Sequence, residues 1–164
     1  MTATRGSGTQ RRAEIVAAAI AVFAEHGCAA PTSLIAERAG LSEAYLYRLF
    51  GAKRELLLAC HDAVDRRVRR VLETAAGADD ADPRELLRAY GDELTADERR
   101  VQLHLQAAAT DPLLRTAVRA RQLALLERVS TLVGPAAAAT VLGHLMAMNL
   151  ADVLDPPTAN RSYR

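Results

Sequence analysis

Apolar residues recur at steps of three and four along most of the chain, the spacing that puts them on one face of an α-helix. From Thr9, residues Ile15, Ala18, Ala19, Val22 and Phe23 share such a face, and Gly27 ends the run. A short second helix follows over Ser33 to Ala39, with Leu34, Ile35 and Ala39 inward and Glu37 and Arg38 outward. Gly40 stands where a helix ends left-handed. Leu41 suits the corner, Ser42 suits an N-cap, and Glu43 to Phe50 restarts the period with Leu46, Leu49 and Phe50 inward. After Gly51 a long helix is expected from Lys53 to about Ala76, carried by Leu57, Cys60, Val64, Val68 and Val71. Three more amphipathic helices are expected over Pro83 to Leu94, Asp97 to Ala109 and Asp111 to Val133, the last opened by an Asp-Pro pair. The fold class is all-α.

The final helix, from Pro135 through Ala151, differs in kind because it contains no Asp, Glu, Lys or Arg. Leu142, Leu145, Met146, Asn149, Leu150 and Val153 form a stripe on it, and a helix apolar on nearly every side needs cover on two sides. Leaving five large side chains in water would forfeit about 8 to 15 kcal/mol, an upper bound comparable with a domain's whole stability. A homodimer is the economical cover, and those six residues are the expected interface. A membrane span is the rival, but the uncharged run is short and is interrupted by Gly143, His144 and Asn149. No membrane partner is expected.

Composition narrows the function classes. The net charge is only +1, yet residues 1 to 75 carry +3 and residues 76 to 164 carry −2, which turns the N-terminal part toward an anion. No charged-then-apolar signal segment opens the chain, and Cys28 and Cys60 offer no metal-ligand spacing, so a cytoplasmic protein with reduced thiols is expected. His61 and Asp65 stand four apart without a nearby third ligand, so no metal and no cofactor are expected. No Ser-His-Asp order with local context and no Gly-rich phosphate loop is present, so an enzyme is not expected. Residues 1 to 8 read as a disordered arm, 77 to 83 as an acidic loop and the last ten residues as a tail.

The stretch from Thr32 to Lys53 carries the chemistry. Once Leu46, Leu49 and Phe50 are buried, Glu43, Ala44, Tyr45, Tyr47 and Arg48 are left on the outer face, where their tips and small side chains suit a DNA major groove. Lys53, the only Lys among 21 basic residues, opens the next helix, where its ammonium and the first backbone N–H groups can meet a phosphate. This stretch resembles the helix-turn-helix of TetR-type bacterial transcriptional repressors. The likeness is carried by Ile35, Ala36, Ala39, Gly40, Ser42, Leu46, Tyr47, Phe50, Lys53, Leu56 and Leu57 at fixed spacing. An acidic residue at Glu43 departs from the family, which usually has a basic or small residue there.

The resemblance implies a DNA-binding head over residues 1–53 and a ligand-binding and dimerisation body over 54–164. It further implies a homodimer that grips a palindromic double-stranded operator and is released by a small-molecule inducer. Tyr47, Lys53 and a hydroxyl at Thr32 or Ser33 are candidates for phosphates, with Ser42 at the cap. Glu43, Ala44, Tyr45 and Arg48 are candidates for base edges. The lesser alternative for Tyr45 is packing at the rim of the small core. In the body, Tyr90, Gln102, His104, Gln106 and Met146 are the polar or adaptable groups that could line a pocket. The alternative keeps the fold but makes the body a dimerising or protein-docking unit without a ligand.

Overall fold

A computed structural model describes residues 5–77 and 81–154 of the chain. Among these the elements are α1 (Arg5–His26), α2 (Thr32–Arg38), α3 (Glu43–Phe50), α4 (Lys53–Ala76), α5 (Pro83–Glu93), α6 (Ala96–Ala107), α7 (Pro112–Val133) and α8 (Pro135–Leu154), with no strand. The helix expected from Thr9 begins four residues earlier, so much of the anticipated arm is helical. Residues 1–4, the middle of the acidic loop at 78–80 and the expected tail at 155–164 lie outside the described residues.

Local chemistry accounts for most of the boundaries. The Ser42 hydroxyl accepts from the Tyr45 N–H at 3.2 Å to start α3. Asp82 caps α5 ahead of Pro83, Thr95 and Glu98 form a reciprocal capping box on α6, and Asp111 accepts from two N–H groups of α7 ahead of Pro112. Gly40 and Gly51, on either side of α3, have φ of 65° and 77°, a region that side chains bearing a Cβ rarely enter. They end α2 and α3 and let the chain turn. At the start of α2, Pro31 occupies the N-cap position without a side-chain hydrogen bond, and neither Thr32 nor Ser33 caps the helix.

One apolar core runs the length of the molecule. In the head it is made by Ile15, Ala19, Val22 and Phe23 of α1 with Ile35, Leu46 and Phe50, and in the body by Leu86, Leu105, Leu114, Val129 and Leu145. Leu49 and Leu41 are half-buried at its edge. Helix α4 continues unbroken from head to body, and α1 packs along α6 as well as along α4.

Helix α8 packs on α5, α6 and α7. Its inward face is Ala138, Val141, Leu145 and Asn149. Arg99 and Arg100 fasten its end, the first through Nε to the Asp152 carboxylate at 2.5 Å and the second through Nε to the Asp152 carbonyl at 2.7 Å. Among the described residues α8 alone is long and apolar enough to cross a membrane. Its pairing with two arginines and its burial of Asn149 suit a helix seated on its own protein.

Candidate nucleic-acid interface and body cavity

The head presents α3 outward. Leu46 and Phe50 are buried beneath it, while Glu43, Ala44, Tyr47 and Arg48 are exposed. Tyr45 is half-buried against the core, and the Arg48 guanidinium lies 4.6 Å from its ring centroid. Tyr45 thus sits at the rim, its ring used as a shelf for Arg48. Ser42 is exposed with its hydroxyl engaged at the cap, and Ser33 is exposed on α2. Arg12 donates to the Leu49 carbonyl at 2.9 Å and lies 4.1 Å from the Phe50 ring centroid, so α1 clamps the C-terminal end of α3.

Two of the phosphate candidates are engaged inside the protein. Thr32 is 4% exposed; its hydroxyl donates to the Glu43 carboxylate and lies 3.0 Å from the Tyr47 hydroxyl. Lys53 is half-buried, and its Nζ donates to the Ala30 carbonyl at 2.6 Å, 5.9 Å from the Phe23 ring centroid. In this conformation the Lys53 ammonium ties the α1–α2 loop to the start of α4.

A narrow cavity lies in the body between α4, α6 and α7. Its walls are His61, Val64, Asp65 and Val68 of α4, Gln102, Leu105 and Gln106 of α6, and Arg121, Gln122 and Leu125 of α7. At about 20 Å³ it has room for little more than a water molecule. The His61 Nδ1 is buried without a hydrogen-bond partner, and burial, aided by the Arg121 charge, pulls the His61 pKa down to about 4. His61 is therefore neutral at ordinary pH. Asp65 pairs with Arg69, and Arg121 pairs with Asp62. Among the described residues no group of three His, Cys, Asp or Glu could hold a metal ion.

Of the five expected pocket residues, only Gln102 and Gln106 line this cavity. Tyr90 stands one hydrogen bond behind it: its hydroxyl accepts from Gln102 Nε2 at 2.8 Å and donates to Asn149 Oδ1 at 2.6 Å. His104 belongs to a separate cleft at the junction of head and body, beside Cys28, Lys53 and Arg54. There the Cys28 thiol is raised to about 11, chiefly by burial and against the pull of Lys53, so it stays protonated and inert. Met146 is exposed on the outside of α8. His61, Asp65, Arg121 and Gln122 line the cavity as well; in the sequence His61 and Asp65 stand out only as a pair four apart without a third metal ligand, and nothing marks Arg121 or Gln122.

The expected interface stripe on α8 is also corrected. Leu145 and Asn149 face the protomer's own core, Leu142 packs half-buried against it, and Val153 is half-buried. Met146 and Leu150, at 41% and 48% exposure, point away from it, joined by Leu154 and by Leu123 and Leu126 of the neighbouring α7. At 100° per residue, positions 145 and 149 cannot share an outward face with 150 while 141 and 138 are buried. Exposed large apolar side chains thus occur on both α7 and α8.

Residues 15–60 match the family described as bacterial regulatory proteins, tetR family. Among curated proteins no match to the chain is found. A solved structure from Pseudomonas aeruginosa PAO1, of a protein named as an inferred transcriptional regulator, is similar over 96% of this chain and 88% of its own. The two superpose with a TM-score of 0.65 at 21% sequence identity, a likeness of fold. Residues 15–60, which hold the capped, outward-facing α3, are thus similar to the DNA-binding helix-turn-helix segment of the TetR family of bacterial regulatory proteins, set in an all-helical fold.

Proposed function

We propose that this protein is a cytoplasmic, ligand-responsive transcriptional repressor that binds a palindromic operator as a homodimer and leaves it when a small molecule enters the body. The observation that carries DNA binding is α3, capped by Ser42, clamped by Arg12 and turned outward with Glu43, Ala44, Tyr47 and Arg48 exposed. Arg48 would reach base edges or phosphate, Tyr47 and Ser33 would meet phosphate, and Tyr45 would hold Arg48 in place. Dimerisation is supported by the apolar surface of Leu123, Leu126, Met146 and Leu150, which a second copy would cover.

Ligand response is supported by where the cavity lies. It is walled by α4, which begins beneath the head, and by α6, which packs on α1. A molecule larger than water must part these walls, and it favours the parted state by its differential affinity for the two states. Parting them in a dimer would change the separation of the two heads away from half-sites about 34 to 36 Å apart. A second path leads from Gln102 through Tyr90 to Asn149 on α8, next to the apolar outer surface. The small volume of the cavity favours one other reading, a body that only dimerises or docks a protein.

Binding to the DNA upstream of the protein's own gene, titrated with salt, tests the proposal. Tight, salt-steep binding to a palindrome, weakened by Arg48→Ala, is expected. Failure there and in selection from random DNA would overturn the repressor. Raised thermal stability with a screened small molecule that also weakens operator binding separates the ligand-responsive reading from the other.

A further inference from the structure

The Thr32 hydroxyl is the middle member of a chain of three polar groups where α2 meets α3. It donates to Glu43 Oε1 and lies 3.0 Å from the Tyr47 hydroxyl. A hydroxyl has one proton to donate. Thr32 uses its proton on Glu43, so Tyr47 is the donor in the other bond. The chain therefore runs from Tyr47 to Thr32 to Glu43, with both protons committed and a carboxylate as the final acceptor. Glu43 is also the first residue of α3, where the helix terminus favours negative charge. On the reading of α2 and α3 as the DNA-binding surface, a carboxylate thus holds the donors that a DNA phosphate would use.

We propose that Glu43 is a built-in competitor for the DNA backbone, a specificity determinant that acts by lowering affinity for DNA of any sequence. This rests on the reading of α2 and α3 as the DNA-binding surface. For Tyr47 to donate to a phosphate its hydroxyl must leave Thr32, and for Thr32 to do so it must leave Glu43. The phosphate must also approach a carboxylate of its own sign. Backbone contacts carry no sequence information, so weakening them leaves a larger share of the binding to base contacts. Discrimination then comes from a repulsive element as well as from attractive ones.

The test measures binding of the full chain to a fluorescent random-sequence duplex spanning two successive major grooves, across a series of salt concentrations. Glu43→Ala removes both acceptor and charge and is expected to bind about tenfold more tightly at low salt. Glu43→Gln, which keeps an acceptor for Thr32 but loses the charge, is expected to fall between it and wild type. Glu37→Gln, which makes the same charge change on the exposed side of α2, is expected to change binding much less. Tyr47→Phe should cost more in the Glu43→Ala background than in wild type, because only there is its hydroxyl released. Glu43 is exposed, and unchanged helical circular dichroism would establish that each variant is folded. Wild-type binding with no gain in Glu43→Ala, or an equal gain in Glu37→Gln, overturns the proposal while leaving DNA binding intact. Absence of salt-dependent binding in wild type and every variant overturns the DNA-binding reading, and the proposal with it.

Discussion

Tyr90→Phe isolates the hydrogen bonds that join the cavity wall to α8. Tyr90 is 1% exposed and Asn149 3% exposed, so neither can turn to solvent for a replacement partner. The substitution removes one oxygen and leaves the ring in its packing. Gln102 keeps a second bond, from Nε2 to the Glu98 carbonyl at 3.1 Å, so it loses little. The Asn149 Oδ1, whose bond from Tyr90 is 2.6 Å long, is left buried without that donor. Losing a net hydrogen bond costs about 1 kcal/mol and orphaning a buried amide oxygen adds about 1 to 2, for a total of about 2 to 3 kcal/mol. At about 2 to 4 °C per kcal/mol for a chain of this size, Tm should fall by about 4 to 12 °C. The melt is followed by circular dichroism at one fixed protein concentration, because a dimer's Tm depends on concentration. Tyr90→Phe combined with Asn149→Leu should recover at least about 1 kcal/mol of the loss, since no polar group is then left unpaired. A Tyr90→Phe protein melting within about 1 °C of wild type would refute the reasoning.

Two further outcomes follow from charge and from surface. His61 has a folded pKa of about 4 against an ordinary 6.5, with burial the first cause and the Arg121 charge the second, so between those values the unfolded chain binds a proton that the folded one refuses. His61 therefore costs nothing above pH 6.5 and destabilises progressively as pH falls to about 4, and His61→Gln should flatten that acid limb in a series of urea denaturations. Leu126→Glu with Leu150→Glu changes residues that are 39% and 48% exposed in the protomer, so protomer stability should shift by about 0.5 kcal/mol per site or less. The same pair should convert a dimer to a monomer in sedimentation, and an unchanged mass would exclude this surface as the interface.

Sequence by itself determined what depends on neighbours within one helical turn. Ser42, Asp111 with Pro112, and Gly40 and Gly51 act on groups two to four residues away, so the bounds of α3, α4 and the start of α7 could be read directly. The outward face of α3 was legible because Leu46 and Phe50 define its opposite. The start of α1 was not, since Gly6, Ser7 and Gly8 carry low helix propensity and yet lie within the helix. Only tertiary structure decided the polar partnerships: Thr32 with Glu43 and Tyr47, 11 and 15 residues on, Arg12 with Leu49, 37 on, and Tyr90 with Asn149, 59 on. It also decided which side of α8 meets the protomer's own core. The run from Pro135 through Ala151 has no charge and so no polar face to mark its outside, and its orientation is set by the shapes of α5, α6 and α7, by the hydroxyl that waits there for Asn149, and by the arginines that hold Asp152 just beyond it.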